Sequence, residues 1–239
     1  MPFIDKIDLV DAYVGKPDWK PWSNTLLYLP LEEDVVDKSW KTWRTFTTSW
    51  ISYTTVWWVK SIQTWSTWWV YLTAPNPLAS SSIDKTKQTI SVCYYVTSQQ
   101  SSSRRILCEF AKQWDEYFTL VLKEDTTLVQ YSDGWTWYWS WTTIVANQWN
   151  NVIVTADTTE RNIYINWQLA WTWSAWTDAP RWVWTSSSQQ AQWILCRRNG
   201  DYNQGLNWNA RELIIEDKMW SANDVLQYYQ YITNKLWIA

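Results

Sequence analysis

Two strand-like runs, Arg161 to Ile165 and Gln168 to Ala170, are separated by only two residues, Asn166-Trp167. A two-residue connection between antiparallel strands needs positive φ at both central positions, which is why Asn-Gly is the strongest short hairpin signal. Here tryptophan stands in the glycine slot. Trp57-Trp58 divides Ile51–Val56 from Val59–Thr64 in the same way.

The pattern recurs along the chain, which holds 26 Trp and only 4 Gly. Ordinary usage of about 7% predicts roughly 17 glycines in a chain of this length. Asp133 to Trp141 (DGWTWYWSW) and Trp171 to Trp176 (WTWSAW) read as glycine-rich loops once their tryptophans become glycine, and Ser39 to Trp43 reads as a Ser-Gly turn. The suspect positions are Trp40, Trp43, Trp50, Trp57, Trp58, Trp65, Trp68, Trp69, Trp135, Trp137, Trp139, Trp141, Trp167, Trp171, Trp173, Trp176, Trp193, Trp208 and Trp237. A side chain with a Cβ held in the left-handed region costs about 1–2 kcal/mol. If half of these sites need positive φ, the strain is on the order of 10–20 kcal/mol, against the roughly 5–15 kcal/mol that holds a domain together. The expectation is a decoding mismatch, in which UGA codons read as glycine by some bacterial lineages and their phages are written as tryptophan. The alternative is an aromatic-rich protein that stacks sugars or bases. Trp149, opening an alternating strand, and Trp220, just before a helix signal, are expected to be true tryptophans. Trp19, Trp22, Trp114, Trp182 and Trp184 fit neither group.

A chain of 239 residues with 46% apolar content suits one large domain with a sizeable core. The formal net charge of −3 supplies no basic field for nucleic acid or an anionic membrane. No apolar run reaches the roughly 18 residues that a spanning helix needs. Met1 to Val10 lacks the basic and apolar regions of a signal peptide. Cys93, Cys108 and Cys196 form no C-x-x-C pair, and the absence of histidine excludes a His-containing zinc site or triad. The cysteines are expected to be buried or idle thiols of a reducing compartment.

Residues 1–25 read as a leader with Pro2, Pro17 and Pro21 and one strand at Lys6 to Val14; residues 26–239 read as the main domain. Within it, strands are expected at Leu26–Leu31, Arg44–Thr48, Ile51–Val56, Val59–Thr64, Val70–Thr73, Gln88–Thr97, Arg104–Lys112, Tyr117–Lys123 and Thr127–Tyr131, then at Thr142–Ala146, Asn150–Asp157, Arg161–Asn166, Gln192–Arg198 and Ala210–Lys218. Ala74–Ser82 is a Pro/Ser loop. Such frequent strands with hardly any helical period indicate an all-β sandwich or jelly roll of two antiparallel sheets. One short C-terminal helix follows Ser221-Ala222-Asn223-Asp224, a capping box ahead of Val225, Leu226, Tyr228, Tyr229 and Ile232.

With glycine restored, Leu26 to Trp43, Asn147 to Ala170 and Trp193 to Tyr229 together resemble the laminin-G-like domains of the concanavalin A-like lectin/glucanase superfamily. The first looks like that family's opening strand and Asp-x-Ser-Gly turn, the second like its Trp-x-x-Val hairpin, the third like its closing strands and helix. Asn150-Asn151 departs from it, since many members carry histidine there. The resemblance implies a concanavalin A-like jelly roll whose members bind glycans, proteins or calcium, and it specifies fold better than function.

Glucanases of that superfamily carry Glu, Asp and Glu at alternate positions of one strand, where period-2 geometry puts all three on one face. The nearest match is Glu212-Leu213-Ile214-Ile215-Glu216, whose middle position is Ile214, so no catalytic residues are expected. The resemblance offers Asp37 and Glu212 as a calcium pair of the kind some relatives possess; the alternative has Asp37 capping its turn and Glu212 paired with a neighbour such as Arg211. Tyr138 and Tyr202 are loop tyrosines suited to stacking on a glycan. No other cofactor is implied.

Two function classes follow. The first is a structural or decorating subunit of a surface assembly, with a phage virion as the setting: it is made in the cytoplasm, associates with other subunits as a homo- or hetero-oligomer, and docks through the leader as an added strand. The low-charge Ser/Thr/Gln/Asn segments Ser98–Ser103 and Thr185–Gln190 suit a particle's exterior. The second is a lectin-like carbohydrate-binding module on a cell or particle surface.

Overall fold

In the computed structural model of the chain, both expected hairpin turns form. Val56 pairs with Val59 and Ile165 with Gln168, so each connection is two residues long. φ is 52° at Trp57, 69° at Trp58, 49° at Asn166 and 65° at Trp167. Positive φ at both central positions is the type I′ signature, whose twist matches that of the flanking strands. At the second turn the Asn166 side chain accepts a hydrogen bond from the Asn151 backbone N–H at 2.8 Å, fixing the turn to the neighbouring strand.

The structure describes residues 24–39, 47–49, 51–64, 71–75, 84, 86–96, 105–112, 115–122, 128–133, 136–174, 191–194 and 208–236. Among them are strands β1 (Thr25–Leu29), β2 (Thr47–Ser49), β3 (Ser52–Val56), β4 (Val59–Thr64), β5 (Tyr71–Pro75), β6 (Gln88–Val96), β7 (Arg105–Lys112) and β8 (Asp115–Leu122). They continue with β9 (Leu128–Asp133), β10 (Thr136–Thr143), β11 (Trp149–Ala156), β12 (Glu160–Ile165), β13 (Gln168–Ser174), β14 (Ala191–Ile194) and β15 (Trp208–Glu216), followed by helix α1 (Ala222–Leu236). One antiparallel sheet runs β13-β12-β11-β6-β15-β4-β3, with β1 also paired to β15; the other runs β10-β9-β8-β7-β14-β5-β2. The fold is all-β, two antiparallel sheets and a C-terminal helix, as the strand pattern predicts.

Alternation sorts the first sheet into two faces. Ile90, Val92, Tyr94 and Val96 of β6, with Val152 and Val154 of β11, join Val129 of β9 and Ile144 in the core between the sheets. The intervening Cys93, Tyr95 and Ile153 point the other way, where they meet Trp220, Val225, Tyr228 and Ile232. Helix α1 therefore covers the sheet's outer face with an i, i+3, i+7 stripe. Trp149 and Trp220, the two expected to be true tryptophans, are both buried here. The capping box closes both ways: the Ser221 N–H donates to the Asp224 carboxylate at 2.8 Å and the Asp224 N–H donates to Ser221 Oγ at 3.2 Å. Cys93 is a buried free thiol, and burial pushes it up from the usual range.

The described parts of two expected loops, Asp133–Trp141 and Trp171–Trp176, are strand instead. Thr136–Thr143 is β10, paired to β9 from Thr136↔Asp133 to Trp139↔Gln130, so the strand expected at Thr142–Ala146 begins earlier and ends at Thr143. β13 likewise runs through Trp171 and Trp173 to Ser174. Trp137, Trp139, Trp141, Trp171, Trp173, Trp193 and Trp208 all lie in strands, where extended backbone accepts an aromatic residue and has no need of glycine. Of the ten suspect tryptophans among the described residues, Trp57, Trp58 and Trp167 have positive φ. That amounts to about 3–6 kcal/mol of strain at the described sites. Trp40, Trp43, Trp50, Trp65, Trp68, Trp69, Trp135, Trp176 and Trp237 lie outside the described residues, as does the 6–14 strand of the leader.

Candidate functional site

The site begins with a bulge in β15. Arg211 pairs with Cys93 and Ile214 with Ser91, so Glu212 and Leu213 together oppose Val92. Glu212 carries the extra residue's conformation, with φ 56°. The insertion shifts the strand's phase: Ala210 faces the inter-sheet core, and so do Leu213 and Ile215. Two consecutive polar side chains, Arg211 and Glu212, are thereby turned to the same outer side, which a regular strand forbids.

Both are buried and fully engaged. The Arg211 guanidinium donates to the Lys60 carbonyl at 2.7 Å, to the Glu32 carboxylate, and to Glu212 Oε1 at 3.5 Å. Glu212 also accepts from Tyr28 Oη at 2.9 Å and from Lys235 Nζ at 2.7 Å. Lys235 reaches Glu32 as well, at 3.1 Å. Four charges, two of each sign, thus tie β1, the segment after it, β4, β15 and the end of α1 together. Burial alone would raise the Glu32 carboxyl, but the Arg211 and Lys235 charges hold it below the usual range. Burial likewise would lower Lys235, and the Glu212 carboxylate outweighs it, holding the ammonium well above the ordinary lysine value. The Tyr28 hydroxyl is pushed up by burial and by Glu212.

Leu31, buried and at φ 58°, turns the chain after β1, while the Glu212 N–H donates to the Pro30 carbonyl at 3.1 Å. That turn places Glu32 and Glu33 beside the edge strand β3. Glu32, Glu33, Tyr53, Thr54, Thr55 and Lys60 line a groove of about 280 Å³. Tyr53 and Thr55 are the exposed positions of β3's alternation, and Tyr53 is 43% exposed. Glu33 pairs with Lys60 across the groove. Burial and the nearby Asp34 charge raise the Tyr53 hydroxyl from its ordinary value. Arg211 does not line the groove but braces two residues that do, the Lys60 backbone and the Glu32 carboxylate.

Of the residues singled out in the sequence, Glu212 lies in this charge cluster. Asp37 Oδ1 accepts the Tyr28 N–H at 3.0 Å and the Ser39 N–H at 2.8 Å, closing the Asp-x-Ser turn back onto β1. Asp37 accepts from the Tyr28 backbone and the candidate calcium partner Glu212 from the Tyr28 hydroxyl, and among the described residues no group of three or more Cys, Asp and Glu is placed to hold a metal ion. Tyr138, expected in a loop, is in β10, where it pairs with Tyr131; Tyr202 lies outside the described residues. Glu212 and Glu216 do share a face, but both are buried beneath α1, Glu216 accepting from Thr25 Oγ1 at 2.7 Å and Trp220 Nε1 at 2.5 Å. A carboxylate pair in that position meets helix and tyrosine, not solvent. The groove residues were not singled out, because Glu32–Glu33 and Tyr53 approach only through tertiary structure. The local signal was Tyr53 at a wet position of an alternating strand.

No protein-family model matches the sequence, and no curated protein matches it. Solved structures do. The chain is similar to the binding domain of Paraclostridial Mosquitocidal Protein 1 at TM-score 0.70 and 13% identity, over 88% of this chain and 53% of that one. It is similar to the receptor binding domain of botulinum neurotoxin D at TM-score 0.65 and 13% identity, over 87% and 52%. A third structure, described under the statement that cell entry of botulinum neurotoxin type C depends on interaction with two ganglioside molecules, matches at TM-score 0.62 and 13% identity, over 87% and 51%. The chain spans about half the length of these structures. At such identity the likeness establishes the fold: this chain shares the β-sandwich of known binding domains.

Proposed function

We propose that the chain is a non-enzymatic, lectin-like binding module that recognises carbohydrate on a surface. The observation that carries this reading is the shared sandwich, running along nearly nine-tenths of the chain, with a binding domain, a receptor binding domain and a structure of a toxin whose cell entry depends on gangliosides. The buried Glu212 and Glu216 agree with binding in place of catalysis. A glycan array probed with the whole chain tests it: saturable binding to a defined set of sugars is expected. A chain blind to every glycan, yet recovered in fixed copy number from purified particles, replaces this reading with that of a structural or decorating virion subunit.

The laminin-G-like assignment within the concanavalin A-like superfamily and the decoding mismatch belong to the same proposal. Supporting the first, the three motifs fall on β1 with its Asp37 turn, on the β11–β13 meander, and on β15 with α1. Supporting the second, Trp57, Trp58 and Trp167 occupy left-handed positions where glycine is free of strain. Intact mass of native material decides it, since every Trp-to-Gly exchange lowers the mass by one fixed step. An unshifted mass ends the idea.

A further inference from the structure

We infer that the groove between β3 and the segment after β1 is the sugar-binding site, and that it takes an uncharged pyranose in preference to an anionic one. The inference rests on the carbohydrate-binding reading above and adds the place and the chemistry. Tyr53 supplies the ring: a sugar's C–H-lined face packs against an aromatic face, whose electron density attracts the weakly positive hydrogens. Glu33, and the exposed edge of Glu32, whose side chain is 35% exposed, accept from sugar hydroxyls. Hydrogen bonds to an ionised acceptor are the stronger kind. Lys60 donates back, and the Thr54 and Thr55 hydroxyls can do either. The volume of about 280 Å³ is near the lower end for ligand pockets, which suits a single terminal ring.

Preorganisation is the second strand of the case. A binding group that must be ordered on contact loses affinity to that ordering. Glu32 is already held by Arg211 and by Lys235 at 3.1 Å, and the Lys60 backbone is fixed by Arg211 at 2.7 Å. The bulge turns Glu212 to the same side as Arg211, where Glu212 Oε1 accepts from the guanidinium at 3.5 Å.

Charge sets the preference. The lining carries Glu32 and Glu33 against Lys60, with Asp34 near enough to act on Tyr53. Among the described lining residues Lys60 is already paired with Glu33, and behind them Arg211 is paired with Glu32, so a sugar carboxylate would have to displace Glu33 or Glu32 to gain a cation. Juxtaposed like charges oppose binding strongly. A sialylated glycan is therefore disfavoured, whatever the ganglioside dependence of a structural neighbour.

The test compares uncharged glycans with their sialylated counterparts, using the full chain and its Tyr53→Ala, Tyr53→Phe and Glu33→Gln variants, each checked for an unchanged thermal midpoint. Expected are binding of uncharged glycans, at least tenfold weaker binding to sialylated counterparts, a loss of tenfold or more with Tyr53→Ala, retention with Tyr53→Phe and an intermediate loss with Glu33→Gln. Glycan binding that Tyr53→Ala leaves untouched, or a preference for the sialylated forms, overturns the groove assignment while the lectin-like reading stands. A parent chain that binds no glycan overturns both.

Discussion

Lys235 Nζ lies 2.7 Å from Glu212 Oε1, joining the last turn of α1 to the bulge in β15. The pair is half of a four-charge cluster, and its worth lies in what removal leaves behind. Without Lys235, the buried Glu212 carboxylate keeps Tyr28 Oη and a long contact to Arg211.

Lys235→Ala is expected to destabilise the fold by about 3 kcal/mol, the range measured when one partner of a buried pair is deleted. Lys235→Arg should recover most of it. The folded ammonium titrates above its ordinary value, so its contribution is present at lower pH and is lost only as pH rises through that raised value. The parent–variant gap in urea unfolding should accordingly be flat through the neutral range. A gap that shrinks between mildly acidic and mildly basic buffers contradicts the cluster as described.

Trp58→Gly should stabilise the chain. Removing a Cβ from φ 69° relieves about 1–2 kcal/mol, and the greater freedom of glycine in the unfolded state returns roughly 0.5–1 of that. The Trp58 side chain is 94% exposed, so little packing is lost, and a net gain of about 1 kcal/mol is expected. Trp57→Gly gains less, because Trp57 Nε1 donates to Tyr95 Oη at 3.0 Å. Trp167→Gly also gains less, because its ring packs at 6.5 Å from that of Tyr229. Thermal midpoints of the three variants give the order directly; Trp58→Gly below the parent would mean the turn is not strained.

Ser221→Ala removes a cap acceptor and should cost about 1 kcal/mol. The partner Asp224 is raised by burial, but hydrogen bonds from Ser221 and the Lys218 charge outweigh this and lower it. A lowered folded value means stability that is present above the ordinary carboxylate range and lost as pH falls through the folded value. The Ser221→Ala difference should therefore narrow in strong acid. A difference that grows there would count against the capping box.

Glu216 behaves oppositely. Burial raises its carboxyl despite hydrogen bonds from Trp220 and Thr25. Its neutral form favours the fold below the ordinary range, and that contribution is lost as pH rises through the raised folded value. Glu216→Gln keeps an acceptor for Trp220 Nε1 and offers Thr25 Oγ1 an amide N–H, reversing that hydrogen bond without the buried charge, so it should equal or exceed the parent at neutral pH. Glu216→Ala removes the acceptor used by Trp220 Nε1 and Thr25 Oγ1 and should lose about 1–3 kcal/mol. If Glu216→Gln proves as damaging as Glu216→Ala, the charged form is the one the fold needs.

Much of the architecture was legible because it is local. Alternation along β6 and β11, the two-residue turns at Trp57-Trp58 and Asn166-Trp167, and the Ser221 capping box each depend on residues within one or two turns of chain. The errors at Asp133–Trp141 and Trp171–Trp176 have one cause: tryptophan was weighed as displaced glycine even where the backbone is extended and any residue serves. Glu212 was visible as a strand residue, yet the bulge that rotates it beside Arg211 was not, since a bulge shows only against the partner strand β6.

By itself, the sequence determined the all-β class, most strand positions and the hairpin turns, because backbone periodicity and left-handed conformations are properties of neighbouring residues. The tertiary structure alone decided the groove and the charge cluster beneath it. Glu32 and Arg211 are 179 positions apart, and Glu212 and Lys235 meet only because α1 folds back over the outer face of the sheet. Burial gives those charges their meaning, and burial is not written in any local run of residues.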